Sequence, residues 1–82
     1  MFDPAQLGER LHTLRRRRDL TLRALGDMAN VNYVTVSKIE RGKMPQVSVD
    51  IVVKLADALG VSVDYLLGRK REETIDASSD GT

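Results

Sequence analysis

The stretch Thr21–Gly42, TLRALGDMANVNYVTVSKIERG, contains two short helical patterns separated by a turn at residues 30–32. The first pattern has apolar residues at i, i+3 and i+6, namely Leu22, Leu25 and Met28. The second pattern has Val36 and Ile39 on one side. Apolar residues at such spacings form one face of an amphipathic helix, so the stretch predicts two consecutive helices that each turn a face toward a core.

The other side of the second helix carries side chains suited to contact with another molecule: Tyr33, Val34, Ser37, Lys38 and Arg41. An aromatic ring, a β-branched side chain, a hydroxyl and two cations on one face indicate a binding surface. Two helices joined by so tight a turn indicate a helix-turn-helix, a motif that presents its second helix to the major groove of DNA. We therefore expect DNA recognition by this helix.

Helix start and stop signals predict three further helices. Each predicted helix follows a residue whose side chain can accept a hydrogen bond from the first turn, namely Asp3, Thr21, Asn32, Ser48 and Ser62. Gly42 and Gly60 mark the ends of the third and fourth helices, because glycine adopts the left-handed conformation that closes a helix. The sequence thus predicts a compact all-α fold of five helices.

Three of these helices have apolar residues that we expect to face the core. In the first helix, which ends near Arg18, they are Leu7, Leu11 and Leu14. In the fourth helix they are Val49, Val52, Val53, Leu55, Ala56 and Leu59. In the short fifth helix they are Val63, Leu66 and Leu67.

Several segments share their residues and spacing with one known family. They are Leu7-Gly8-Glu9-Arg10, Leu14-Arg15, Leu20-Thr21, Leu25, the run Val36 to Gly42, the run Leu55 to Ser62, and Leu66-Leu67. With them the chain resembles, over residues 5–68, the helix-turn-helix regulators of the Cro and phage-repressor type, often called the XRE family. The resemblance implies a five-helix, lambda-repressor-like DNA-binding domain at residues 1–68, with the helix-turn-helix formed by its second and third helices.

The resemblance also implies which residues contact double-stranded DNA. The positions that match the base-contacting ones of the family are Tyr33, Val34 and Lys38, with Asn32 at the groove edge. Ser37 either lies near the groove, as in some members of the family, or is a packing residue. Lysine can donate to guanine, and valine can pack on a thymine methyl group. The residues expected to contact phosphates are Thr21, Leu22, Arg23, Arg41 and Lys43. The alternative for Tyr33 and Val34 is packing at the margin of the core.

Three positions depart from the family pattern. Leu22 stands where the family usually has a phosphate-binding glutamine, so the backbone amide, Thr21 or Arg23 must compensate. Gly26 replaces an alanine where the second helix crosses the third, and Asn30 replaces the glycine of the turn.

Family position further implies a structural salt bridge between Arg15 and Glu40. The single histidine, His12, has no Cys or second His beside it in the sequence and is expected at the surface.

Composition limits the other possibilities. The 82 residues suffice for one domain, and the absence of cysteine excludes disulfides and thiolate metal sites. We expect no cofactor, metal, membrane span, small-molecule ligand or enzymatic activity, and a cytoplasmic location. The charged segment 69–82 has one large apolar residue, Ile75, and is predicted to be a disordered tail.

Charge is distributed unevenly along the chain. Residues 1–43 hold nine Lys and Arg against five acidic residues, whereas residues 44–82 hold four against seven. The basic half is either a polyanion-binding surface or a set of ordinary solvated helix faces, and the motif favours the first.

Two functions from different classes remain. The first is a transcription regulator, expected to be a repressor, that binds a palindromic operator as a homodimer. We expect the dimer surface to be formed by the fifth helix and nearby apolar residues such as Val47, Val63 and Tyr65. The second is an antitoxin or adaptor whose main partner is a protein and whose DNA binding is secondary or absent. In the first case we expect no sensor domain, so that regulation would act through protein concentration, a regulatory protein partner or proteolysis.

Overall fold

A computed structural model describes residues 2–69, and this range contains five α-helices. They are α1 (Pro4–Arg17), α2 (Leu22–Ala29), α3 (Tyr33–Glu40), α4 (Val49–Leu59) and α5 (Val63–Leu66). The described residues form no strand, so the predicted all-α fold is confirmed. Of the predicted tail at residues 69–82, only Arg69 lies within the described range.

The helices begin where the sequence predicts. A side-chain oxygen of each predicted cap accepts a backbone N–H of the first turn, and these caps are Asp3, Thr21, Asn32, Ser48 and Ser62. The amides of a first turn have no acceptor within the helix, so each cap removes an unsatisfied donor. Asn30 and Gly60 end α2 and α4 in the left-handed conformation, at φ 57° and 71°.

The core lies where α1 packs against α3 and α5, and where α2 and α4 close the remaining side. The predicted stripe of α1 is fully buried, and so are Val36 and Ile39 of α3. Thirteen buried apolar residues form this one cluster: Leu7, Leu11, Leu14, Leu25, Ala29, Val36, Ile39, Val52, Leu55, Ala56, Leu59, Val61 and Leu66. Leu67, expected in the core, is partly buried at its margin.

Three apolar residues that were expected to face the core are exposed instead. Met28 is 55% exposed, Val49 75% and Val53 37%. The buried face of α2 is made by Leu25, Gly26 and Ala29. Since a helix turns about 100° per residue, Met28 falls at the edge of that face.

The two exposed valines of α4 have a similar explanation. The buried face of this helix follows the i, i+3, i+4, i+7 spacing through Val52, Leu55, Ala56 and Leu59. Val53 lies on the flank of that face, and Val49 belongs to the first turn of the helix. The sequence prediction was wrong at Val49 and Val53 because it assigned them to the core although they lie outside this spacing or in the first turn.

A buried ion pair joins α1 to the last residue of α3. Arg15 Nε lies 2.7 Å from Glu40 Oε2, and the two side chains are only 10% and 7% exposed. Arg15 also donates from Nη2 to Glu40 Oε1 at 3.1 Å and from Nη1 to the carbonyl oxygen of Leu20 at 2.7 Å. The ion pair implied by the family resemblance is thus present, with additional hydrogen bonds.

His12 adds a third side chain to this pair. Its Nδ1 lies 2.9 Å from Glu40 Oε1, and its side chain is half exposed. The sequence predicted a surface position for His12 but not this contact, because twenty-eight residues separate the two partners along the chain. Glu40 therefore accepts from α1 at two successive turns of that helix.

Two glycines allow α3 to approach its neighbours closely. A Cβ atom at Gly8 would collide with the carbonyl oxygens of Ile39 and Glu40. A Cβ atom at Gly26 would lie 2.6 Å from the carbonyl oxygen of Val31 and 3.2 Å from the Cα of Tyr33. The departure from alanine at Gly26 is thus matched to the close contact between α2 and the turn that leads into α3.

The ion pair yields a stability prediction. Replacing Glu40 with Gln leaves the Arg15 guanidinium buried without its counter-charge, so the free energy of unfolding should fall by about 3–5 kcal/mol. Urea denaturation followed by circular dichroism measures this difference. The matched control is Asp50→Asn, because the Asp50–Lys54 pair is largely exposed and its loss should cost less than about 1 kcal/mol. Equal losses in the two variants would contradict the structural role of Glu40.

For Gly26→Ala we expect a change in stability opposite in sign to the one that helix propensity predicts. Alanine is the better helix former by about 1 kcal/mol, so propensity alone predicts a stabilised Gly26→Ala variant. The crowding at Val31 should reverse this effect and destabilise the protein by about 1–3 kcal/mol. Thermal melting measures the outcome, with the exposed neighbour in Asp27→Ala as the control in which propensity acts alone. A higher melting temperature for Gly26→Ala would contradict the prediction and show that the backbone at Val31 moves to accommodate the added Cβ atom at little cost.

Candidate nucleic-acid interface

The turn between α2 and α3 is short and is held by backbone hydrogen bonds to α2. Asn30 adopts the left-handed conformation, and the N–H of Val31 donates to the carbonyl oxygen of Gly26 at 2.9 Å. The Oδ1 of Asn32 then accepts the N–H of Val34 at 2.8 Å and starts α3. Three residues therefore redirect the chain, and the direction of α3 is set by this turn and by the packing against Gly26.

One face of α3 is buried and the other is open to solvent. Val36 and Ile39 lie in the core. Tyr33 is 39% exposed and Val34 45% exposed, and Lys38 is exposed as well. Tyr33 and Val34 are therefore surface residues, and the alternative in which they pack at the margin of the core is wrong.

Two further residues of the predicted base-contacting set differ from these three. Asn32 is exposed, but its Oδ1 is engaged in the cap of α3, which leaves its amide nitrogen for other contacts. Ser37 is half buried. The exposed face of α3 is therefore formed chiefly by Tyr33, Val34 and Lys38, at the first, second and sixth residues of the helix.

The residues predicted to contact phosphates occupy the two ends of the motif. Thr21 caps α2, with its Oγ1 accepting the N–H of Ala24 at 3.0 Å. Leu22 packs its side chain against the core, so only its backbone amide can face an anion. Arg23 is exposed in the first turn of α2. Arg41 and Lys43 are exposed directly after α3.

The surface formed by α3 and the loop after it exposes no carboxylate. Between residues 32 and 46 the one acidic residue is Glu40, and its carboxylate is buried against Arg15. The cations of the same segment, Lys38, Arg41 and Lys43, are all exposed. The segment therefore presents positive charge to solvent, which suits a polyanion such as DNA.

A groove of about 370 Å³ lies beside the exposed face of α3. It is lined by Thr35, Lys38, Lys43, Met44, Pro45 and Gln46. The sequence prediction did not include Gln46, because the loop after α3 has no helical period from which a face could be assigned. The groove joins Lys38, at the C-terminal end of the exposed face, to Lys43 in the loop that follows α3.

Arg23 and Tyr33 are in direct contact. The guanidinium carbon of Arg23 lies over the ring of Tyr33, 4.3 Å from its centroid, within the range of a cation–π interaction. The sequence predicts separate roles for the two residues, a phosphate contact for Arg23 and a base contact for Tyr33. Their contact could have been predicted only from the crossing of α2 and α3, because ten positions separate them in the sequence.

Within residues 2–69, no group of three His, Cys, Asp or Glu residues could hold a metal ion. No helix in that range is long and apolar enough to span a bilayer.

The exposed face of α3, the tight turn before it and the cationic residues around it define a DNA-binding helix-turn-helix domain. A model of the helix-turn-helix domain family matches residues 6–67. The chain therefore belongs to the helix-turn-helix DNA-binding regulators of the XRE type, as the resemblance predicted. Among curated proteins no sequence matches it significantly.

Solved structures agree with this assignment. The chain is similar to the N-terminal DNA-binding domain of SinR from Bacillus subtilis, with 31% identity and a TM-score of 0.76 over 83% of this chain and 99% of that one. It is similar to the restriction-modification controller protein C.AhdI from Aeromonas hydrophila, with 31% identity and a TM-score of 0.74 over 78% and 96%. It is also similar to the P22 c2 repressor in complex with a synthetic operator, with 34% identity and a TM-score of 0.69 over 74% and 91%.

Proposed function

We propose that this protein is a sequence-specific transcription regulator, a repressor, that binds a palindromic operator as a homodimer with α3 in the major groove. The observation that carries the proposal is the two-sided character of α3, in which Val36 and Ile39 are buried while Tyr33, Val34 and Lys38 are exposed. The similar P22 c2 repressor was solved on a synthetic operator, which supports the same mode of binding here.

Each exposed side chain of α3 has a partner among the groups that line the major groove. Lys38 can donate to O6 or N7 of guanine, and Val34 can pack against the methyl group of thymine. Tyr33 offers an aromatic edge and a hydroxyl. Asn32 retains its amide nitrogen as a donor at the groove edge, and Ser37 contributes at most its hydroxyl because it is half buried.

Phosphate contacts position the domain and supply most of the affinity. The backbone amides of Leu22 and Arg23 belong to the first turn of α2, where the helix dipole favours an anion. The Arg23 side chain extends the same site. At the other end of the motif, Arg41 and Lys43 can contact a second phosphate segment. These contacts are independent of base sequence.

A second copy of the chain would supply both affinity and register. An apolar groove of about 230 Å³ is lined by Phe2, Val47, Val49, Val52, Val63 and Leu67. We propose that the partner copy covers this groove, which includes the strongly exposed Val49. Two of the residues predicted for the dimer, Val47 and Val63, line it. Tyr65 instead lines a separate polar depression, where Arg10 lies over its ring.

One observation favours the second candidate, an antitoxin or adaptor with secondary DNA binding. The side chain of Leu22 packs against the core, so the phosphate clamp usually made by glutamine at this position is missing. The backbone amides and Arg23 would have to replace it. Under this candidate the main partner is a protein, and a folded domain would show no preferred DNA sequence.

Selection from a random DNA duplex library separates the two candidates. At about 150 mM salt, the wild type should enrich a two-fold symmetric consensus whose half-sites lie about one helical turn, or 34 Å, apart. A Tyr33→Ala/Lys38→Ala variant should lose this enrichment because the exposed face of α3 is truncated. Circular dichroism verifies that both proteins are folded. Failure of the folded wild type to enrich any sequence would favour the protein-interaction module.

Single substitutions distinguish base contacts from phosphate contacts. Lys38→Ala should change the preferred base at one position and lower discrimination there by about 1–3 kcal/mol. Lys43→Ala should weaken binding to all sequences alike and reduce the slope of log K against log salt by about 1. Binding titrations at three salt concentrations, on the consensus and on single-base variants, measure both effects. Unchanged preference in Lys38→Ala would mean that α3 is not the reading helix.

A further inference from the structure

The contact between Arg23 and Tyr33 follows from the crossing of α2 and α3. Arg23 and Gly26 are three residues apart on α2, so they lie on neighbouring turns of one face. A Cβ at Gly26 would lie only 3.2 Å from the Cα of Tyr33, which shows how closely the start of α3 rests on that face. From this position the tyrosine ring reaches Arg23, whose guanidinium carbon is 4.3 Å from the ring centroid.

The contact restricts a side chain that would otherwise be mobile. Tyr33 is the first residue of α3, and at 39% exposure it has solvent on much of its surface. Immobilising such a side chain on binding costs conformational entropy, and prior ordering removes that cost. The Arg23 guanidinium over one face of the ring orders Tyr33 before DNA is bound.

The same geometry leaves Arg23 able to bind an anion. A guanidinium that lies over a ring uses its flat face, and its N–H donors point outward in its own plane. These donors can make charge-assisted hydrogen bonds to phosphate oxygens, beside the free amides in the first turn of α2. One side chain can therefore contact the DNA backbone and the base-reading tyrosine together.

We propose that Arg23 is a positioning residue for base recognition, which holds the Tyr33 ring in its reading orientation and links it to a phosphate contact at the start of α2. The proposal rests on the function proposed above. It adds that Arg23 affects which bases are preferred, whereas an ordinary phosphate ligand affects only the affinity.

The decisive variant is Arg23→Lys, which keeps the positive charge and loses the flat guanidinium. On the consensus selected by the wild type, the variant should bind up to about fivefold more weakly, because a flexible ammonium cannot stack flat on the ring as the guanidinium does. Tyr33→Ala identifies the position of the operator at which base preference depends on Tyr33. At that position, the ratio of the affinities for the preferred and the other base pairs should fall by a similar factor in Arg23→Lys. In the Tyr33→Ala background, Arg23→Lys should cause no further loss of discrimination, so the two changes are not additive.

Two control variants isolate the contact. Tyr33→Phe keeps the aromatic ring, so Arg23→Lys should still reduce discrimination in that background. Arg41→Lys makes the same exchange at the opposite end of α3, about 12 Å along the helix from Tyr33, and should leave base preference unchanged. In the free protein, NMR should show the Arg23 side-chain protons shifted upfield by the ring, with the shift lost in Tyr33→Ala and kept in Tyr33→Phe.

The outcomes separate this proposal from the function on which it rests. A wild-type consensus whose base preference survives Arg23→Lys, with an intact fold, would overturn the positioning role alone and leave Arg23 as a phosphate ligand. The same conclusion would follow if Arg23 showed no ring-induced shift. If the folded wild type enriches no sequence, the proposed function fails and the positioning role fails with it.

Discussion

The placement of α3 depends on the buried contact between Arg15 and Glu40. This ion pair ties the last residue of α3 to α1, next to the point where Gly8 lets the two helices touch. At the other end, Gly26 and the cap at Asn32 hold the first turn of α3 against α2. A helix of eight residues is too short to be stable alone, so these two attachments and the burial of its apolar side define it. The outer face of α3 is therefore exposed to solvent while the helix itself is held in place.

The ion pair also explains how the outer face remains positive. Glu40 stands between Lys38 and Arg41 in the sequence, and an exposed carboxylate there would repel phosphate. Burial against Arg15, with His12 on its exposed side, neutralises that charge within the fold. The same contact therefore stabilises the fold and neutralises the negative charge of Glu40. The positive charge of Arg15 in α1 is neutralised with it.

Local signals made most of the fold predictable, because a cap or a period of apolar residues is encoded within a few positions. The cap at Asn32 and the stripe of Leu7, Leu11 and Leu14 are examples. The exposure of Met28 and Val49 was not predictable from period alone, since it depends on which neighbour covers each turn. For the candidate site, the exposed face of α3 followed from the pattern, whereas the contact of Arg23 with Tyr33 depends on the crossing of two helices.

The same distinction applies to charge. The sequence places nine cations in residues 1–43, but the structure buries Arg15 and sets Arg10 over Tyr65, in a depression away from α3. Within the helix-turn-helix and the loop after it, the exposed cations are Arg23, Lys38, Arg41 and Lys43. Since each neutralised phosphate releases about 0.9 counterion, four cations give one copy only a modest electrostatic affinity. A symmetric pair would double these contacts on one DNA molecule, so the modest electrostatic affinity of one copy agrees with the homodimer proposed above.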